Sequence, residues 1–136
     1  MRTLQTLLKS PRGSVAVEFA LFLPLLLILI FGVVELGSAW YAKQMMVNAS
    51  REGARLGSLY TASGISDQDV VAHVETVLNN AGFSSPVSIT SIGAGGATGQ
   101  LVRVEVNAAY SFPVLSALIP AVEPVNLNAA TVMRHE

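Results

Sequence analysis

The sequence contains no cysteine, so it can form neither a disulfide nor a thiolate metal site, and it has no thiol nucleophile. Charge is also scarce: charged residues make up 12% of the 136 residues, whereas 51% are hydrophobic. An ordinary soluble domain carries about twice that share of charge. The deficit is local, because the stretch from Phe19 to Val34 has no charged side chain. The composition therefore indicates one long apolar segment joined to a more ordinary remainder.

This apolar segment is long enough to cross a membrane as a helix. A hydrocarbon core ~30 Å thick requires ~20 mainly apolar residues. Residues 14–34 supply that length if Glu18 is tolerated, and residues 19–40 supply it if Glu35 is tolerated. The aromatic pair at 40–41 is typical of the membrane–water interface. Two interpretations of Glu35 are open: simple solvation at the interface, or pairing with Lys43 or with a partner subunit.

The basic residues near the N-terminus predict the orientation. Arg2, Lys9 and Arg12 precede the apolar segment and no acid does, so the positive-inside rule places the N-terminus in the cytoplasm. Residues from about Tyr41 onward are then expected on the far side. Without those three basic residues, five would remain against nine acids. This balance argues against nucleic acid as a partner.

One continuous helix is predicted from about residue 14 to about residue 60. At 1.5 Å per residue it would be roughly 70 Å long, so about half of it would stand outside the membrane core. Pro24 removes one backbone hydrogen bond and is expected to bend the helix within the lipid. Ala49, Gly53 and Gly57 form a stripe of small residues four apart, which permits close packing. We expect this stripe to pack on the chain's own sheet rather than on a neighbouring subunit.

Residues 61–136 are predicted to form a small α+β head after a short linker at 61–66. Ser66 is a typical N-cap for an amphipathic helix that Gly82 ends. Strands are indicated by alternating apolar residues at 87–91, 102–112 and 125–131, and the glycine-rich 93–99 is interpreted as a hairpin turn. The expected fold class is therefore α+β: a long N-terminal transmembrane helix, followed by one helix on a three-stranded antiparallel sheet.

No catalytic or metal-binding constellation is found in the sequence. The two histidines, His73 and His135, are isolated from any acidic cluster and do not make a metal site. The glycine-rich turn is not followed by the lysine of a phosphate loop. We therefore predict that the protein is not an enzyme, and we expect no cofactor and no small-molecule substrate.

The most specific pattern lies where the basic leader, residues 1–13, meets the apolar segment. Cleavage after Gly13 would free the amine of Ser14. Glu18 could then neutralise this amine on a neighbouring subunit as helices stack, so the charge would be paired only in the assembly. Ionisable residues inside spanning helices are costly and usually have such a partner.

Two tracts resemble a known family. The run GSVAVEFALFLPLLL from Gly13 to Leu27, with Phe19 and Pro24 in it, and the run ASREGAR at 49–55 resemble the TadE-like proteins of the tight-adherence (Flp) pilus system. The first run is also similar to the prepilin peptidase site of type IV pilins and pseudopilins. The resemblance implies that Gly13 ends the leader, that Ser14 is the new N-terminus, and that Glu18 is required for processing or assembly.

The resemblance further implies a minor pilin or pseudopilin that acts in assembling an adhesive fibre. Expected partners are a prepilin peptidase, other pilins or pseudopilins, the pilus assembly machinery and membrane lipid. The expected location is the bacterial inner membrane, with a single span, a cytoplasmic N-terminus and a periplasmic head, before any incorporation into an extracellular pilus. Pro24, Arg51, Glu52 and Arg55 are candidate assembly residues, although the three charged ones could equally form a solvated helix face.

Other interpretations of the N-terminal region stay open. Gly13 and Glu18 could belong to a plain signal anchor with an incidental acid. An ordinary secretory signal could instead be cut at the small residues 37–39. The chain could also be a permanently anchored periplasmic adaptor that needs no cleavage, or an anchored enzyme whose reactive group the sequence does not show.

Overall fold

The structure is a computed structural model that describes residues 11–59 and 64–135. Its dominant element is helix α1, Pro11–Ser58, which has 48 residues and is about 70 Å long. Its bounds agree with the prediction of one continuous helix from about residue 14 to about residue 60. Proline suits the first turn of a helix because its φ is already helical and no N–H is needed there. The helix continues through Pro24.

The remaining elements form the head, which is α+β as predicted. In chain order they are α2 (Asp67–Asn80), β1 (Val87–Ile92), β2 (Leu101–Tyr110), α3 (Pro113–Leu118) and β3 (Val125–Arg134). The three strands form an antiparallel sheet in the order β1-β2-β3. The prediction of a long helix followed by a helix and a three-stranded antiparallel sheet is therefore confirmed. The short helix α3 lies between the segments 102–112 and 125–131 that were predicted to be strands.

The core lies between one face of the sheet and two helices. Alternate residues of β2 point toward the helices, so Val102, Val104 and Val106 are completely buried while their sequence neighbours are not. The distal half of α1 covers β2 and β3, and α2 packs beside it against β1. The head therefore uses part of α1 as a second core helix, in addition to the single covering helix that was predicted. The opposite face of the sheet is uncovered.

Two glycines of α1 allow the close approach of the helix to the head. A Cβ added to Gly53 would lie 2.4 Å from Val74 Cγ2, and one added to Gly57 would lie 2.9 Å from Val102 Cγ2. Contacts this short leave no room for a side chain. Ala49 is also fully buried. The predicted packing of this stripe on the chain's own sheet is confirmed.

The same contacts define the direction of the sheet relative to α1. Val102 lies against Gly57, and Val104 lies near Gly53, so β2 runs antiparallel to α1. The start of β2 is therefore at the end of the head near Gly57, which we call the distal end. Tyr110, at the end of β2, lies at the proximal end, toward the N-terminal half of α1.

Local hydrogen bonds account for the start of α2. Ser66 is its N-cap: the Ser66 hydroxyl accepts from the amide of Asp69, and the Asp69 carboxylate accepts from the amide of Ser66 at 2.9 Å. Asp67 joins the helix to the sheet, because its carboxylate accepts from the Ser91 hydroxyl at 2.8 Å and from the Ala94 amide at 3.0 Å. The predicted N-cap is thus confirmed.

Candidate functional site: the uncovered part of helix α1

The N-terminal half of α1 has no cover from the head. Residues 14–34 are exposed apart from two that are half-buried, and no buried residue precedes Glu35 in the described chain. At 1.5 Å per residue this bare segment is about 31 Å long, which matches the ~30 Å thickness of a hydrocarbon core. In the part of the chain that the structure describes, Gly13–Ser58 is the one helix long and apolar enough to cross a membrane. This is compatible with a single-pass membrane protein.

The uncovered surface continues along α1 beyond the bare segment. Where the head covers one side of the helix, the opposite side stays exposed as a stripe at helical spacing, made of Tyr41, Gln44, Asn48, Arg51, Glu52 and Arg55. We call this set the outer stripe. Apolar side chains dominate the surface of the bare segment, which precedes the outer stripe along α1, whereas polar and charged side chains dominate the stripe itself. A long helical surface is therefore left for contacts outside the chain.

The predicted processing residues lie at the start of this surface. Gly13 and Ser14 are in the first turns of α1, and most of the leader that precedes them lies outside the described residues. Glu18 is exposed, and its carboxylate has no hydrogen-bond or ion-pair partner among residues 11–59 and 64–135. The roles assigned to these three residues stay predictions. Pro24 lies in the middle of the bare segment, on the same helix.

Arg51, Glu52 and Arg55 are exposed on the outer stripe. Within the described chain none of them takes part in an ion pair, since the single salt bridge found there joins Arg103 to Glu105. Their charged groups are thus not used to hold the head. A solvated face and a contact with a partner subunit both remain compatible with this placement.

Glu35 has a role in the structure that the sequence did not reveal. Both interpretations, solvation and pairing with a basic residue or a partner, are replaced by a contact within the chain. Its side chain is buried, with 6% exposure. Its carboxylate oxygens accept from the amides of Val114 at 2.7 Å and Leu115 at 3.0 Å. Glu35 therefore ties the proximal end of the head to α1.

The chemistry of α3 explains why it needs this acceptor. The first amides of a helix have no partner within the helix. Phe112 is the N-cap of α3 and offers no side-chain acceptor, and Pro113 has no N–H. The two free amides that follow both donate to Glu35. A negative charge is also favourable at the positive end of the helix dipole.

The uncovered face of the sheet carries a small polar network centred on Glu105. Its carboxylate accepts from Arg103 Nη2 at 3.0 Å and from Asn128 Nδ2 at 2.7 Å. These hydrogen bonds, with the Arg103 bond the largest and Asn107 also contributing, lower the pKa of Glu105 below its ordinary value of 4.5. The network joins β2 to β3 across the sheet.

Removal of the Arg103 guanidinium, in Arg103→Met, is expected to raise the pKa of Glu105 toward 4.5. Because the pKa is lowered in the folded chain, the network stabilises the fold above about pH 4.5, and this contribution is lost as pH falls through the lowered pKa. A carboxyl NMR titration of the full chain in micelles measures the change. Asn128→Ala should give a smaller rise, and Asn80→Ala, on α2, should give none. An unchanged Glu105 titration in Arg103→Met would contradict the assignment.

The described geometry defines a class of protein: a small α+β head mounted on one long helix, whose apolar N-terminal half is left bare and is compatible with a membrane anchor. Residues 13–55 match the family model described as TadE-like protein. The resemblance predicted from the two sequence tracts is therefore confirmed, and the match suggests a minor-pilin-like protein associated with the Tad pilus.

The family match covers the bare segment and the whole outer stripe, and it ends before α2 and the strands of the head. The comparisons with curated proteins and with solved structures found no match. The candidate site is accordingly a surface of α1, not a pocket of the head. Its residues are those that the sequence singled out, with Glu35 added by the structure.

Proposed function

We propose that the protein is a TadE-like minor pilin or pseudopilin, processed by a prepilin peptidase and acting in assembly of an adhesive Flp-type pilus. The observation that carries the proposal is the bare half of α1. It is as long as the hydrocarbon core of a bilayer is thick, and it lies within the residues that match the TadE-like family model. A helix of this kind can be stored in the inner membrane and later packed against other helices, because lipid tails and apolar side chains are similar surroundings for it.

The position of Gly13 supports processing at the cytoplasmic face. Gly13 and Ser14 lie at the N-terminal edge of the bare segment, where the helix would leave the hydrocarbon. The first turn of a helix has the fewest backbone hydrogen bonds, so it can open for a peptidase more readily than an interior turn. Basic residues of the leader favour the cytoplasmic side for this end.

The unpaired carboxylate of Glu18 supports a role in assembly. In the single chain Glu18 has no partner among the described residues, and an unpaired charge near the edge of a bilayer is unfavourable. The amine of Ser14, freed on a neighbouring subunit, would supply the missing positive charge. On the outer stripe, Arg51, Glu52 and Arg55 are available for further contacts with other pilins or with the assembly machinery.

The proposed role is structural rather than catalytic. The candidate residues are spread along one helical surface about 60 Å long, from Ser14 to Arg55, and do not converge on a single point. Catalysis requires groups held within hydrogen-bond reach of one another and of a substrate. The proposed partners are therefore other proteins and membrane lipid.

Gly13→Leu is expected to abolish the shorter, processed form of the protein, so that only the full-length chain is seen by gel mobility in cells that contain the peptidase. The reason is that a bulky side chain would fill the small site before the cleaved bond. Gly37→Leu is the matched control, because a side chain at Gly37 meets nothing within 4 Å and lies away from the cleavage site. If Gly13→Leu still gave the same short product, cleavage after Gly13 would be excluded as its source. If the natural chain itself gave only the full-length form, a permanently anchored adaptor would be favoured.

A further inference from the structure

We propose that the proximal end of the head is a second membrane contact, in which α3 and the residues around it enter the interfacial layer of the outer leaflet. This inference rests on the proposed anchoring of α1 in the bilayer. The surface concerned consists of Leu118, Ile119 and Val125, which we call the proximal patch. Glu35 is the residue that holds this patch at the correct height.

The height of α3 follows from its contact with Glu35. Glu35 comes directly after the bare segment, and α3 begins within hydrogen-bond distance of its carboxylate. Trp40 lies about 7.5 Å further along α1 and is exposed. The start of α3 is therefore nearer the apolar segment than Trp40, whose residue type is typical of the membrane interface. The proximal end of the head therefore lies beside α1 at the level of the membrane interface.

The composition of this region suits lipid rather than water. No residue from Ser111 to Val122 is ionisable, and the exposed Glu123, between Ile119 and Val125, is the first charged residue after them. Leu118 is 49% exposed and Val125 is 48% exposed, and α3 contains no buried residue. A short helix that has no fully buried residue, with exposed apolar side chains at and after its end, is poorly suited to an aqueous setting. The contact of α3 with Glu35, which directly follows the apolar segment, identifies lipid as the occupant of this surface.

The hydrogen bonds that Glu35 accepts lower the electrostatic cost of placing its carboxylate at the membrane interface. A carboxylate near the hydrocarbon edge is unfavourable unless its charge is compensated. The amides of Val114 and Leu115 compensate it, and in return their own N–H groups, which lipid could not satisfy, are hydrogen-bonded. The acid and the free end of α3 can therefore enter the interface together, although neither is suited to it alone.

The test uses nitroxide labels in the full chain, reconstituted in vesicles of phosphatidylethanolamine and phosphatidylglycerol. Because the chain has no cysteine, one introduced cysteine gives one labelled position. Three matched variants are compared: Leu29→Cys in the bare segment, Leu118→Cys in the proximal patch, and Leu101→Cys at the distal end. Leu101 is 62% exposed and Leu118 is 49% exposed, so Leu101 is the more accessible of these two labelled positions in the head. Collision rates with oxygen report lipid, and those with a water-soluble nickel chelate report water.

The expected result is a several-fold higher ratio of oxygen to nickel collisions at position 118 than at position 101, with position 29 higher still. Glu35→Gln should lower the ratio at 118 and leave that at 29 unchanged. The head of the Glu35→Gln variant should stay folded, since the hydrophobic core around Val74 and Val104 does not include Glu35.

Three outcomes would overturn the inference. If the label at position 29 reported lipid and the label at position 118 reported water, the membrane anchor would be supported and the second membrane contact would be excluded. Shielding of 118 from both reagents would show that a protein surface covers the patch, either a second copy or another subunit. Water at position 29 would remove the anchor, and the inference with it.

Discussion

Gly53→Leu is expected to separate the head from α1 and to lower the melting temperature of the head by roughly 10 °C or more. A Cβ at this position would already lie 2.4 Å from Val74 Cγ2 and 3.4 Å from Val104 Cγ1. Overpacking of a tight core costs about 1–3 kcal/mol and occasionally more, and in a domain of this size each kcal/mol shifts the melting temperature by about 4–8 °C. The backbones of α1 and α2 cannot move apart without exposing the core that they share.

The effect is measured by thermal unfolding of the full chain in micelles and by hydrogen exchange of the β2 amides. Gly37→Leu is the matched control, because it lies on the same helix and a Cβ added there would meet nothing within 4 Å. It should leave β2 protected. Gly53→Ala should fall between the two, since Val74 can yield to a methyl group more easily than to leucine. Equal melting temperatures for Gly53→Leu and Gly37→Leu would show that the helix does not pack on the head in this way.

Glu18→Val is expected to insert into the membrane at least as well as the natural chain and to lose most fibre assembly. Insertion should improve because an acid costs about 2.5–3.5 kcal/mol at the centre of a bilayer and less near its edge. Assembly should fall because the amine of Ser14 on the neighbouring subunit would lose its partner. A loss of 1.4 kcal/mol per contact lowers each association constant about tenfold, and the loss is repeated at every such contact.

Membrane fractionation measures insertion, and recovery of sheared pili from the cell surface measures assembly. Glu75→Val is the control, because Glu75 is an exposed acid on α2, away from the outer stripe. It should leave both measurements unchanged. Normal piliation with Glu18→Val would remove the pairing of Glu18 with the Ser14 amine from the account, although the anchor would be unaffected.

The elements with strong local patterns were predictable. The alternation of Val102, Val104 and Val106 with polar neighbours indicates a strand with one buried face, and burial follows that pattern in the structure. The uncharged run after Glu18 similarly indicated the bare half of α1. In both cases the pattern is local, because it is formed by residues that are close to one another in the sequence.

Contacts between distant parts of the chain could not be predicted. Glu35 and the amides that it binds are about 80 residues apart, so no spacing or periodicity relates them. His135 is a second case: it is buried, and its ring forms a hydrogen bond with the carbonyl oxygen of Gly93, about 40 residues earlier in the chain, at 2.8 Å. One signal for Glu35 was present, because an acid beside an apolar segment usually has a partner.

The processing of α1 determines whether it is a permanent anchor or a helix that can be withdrawn from the membrane into a fibre. The most direct test is the N-terminal sequence and intact mass of the mature protein, isolated from cells with an active pilus system. The account predicts that the mature chain begins at Ser14. A chain that begins at Met1 would contradict it by showing a retained leader, and one that begins at Trp40 would contradict it by showing removal of the entire bare segment.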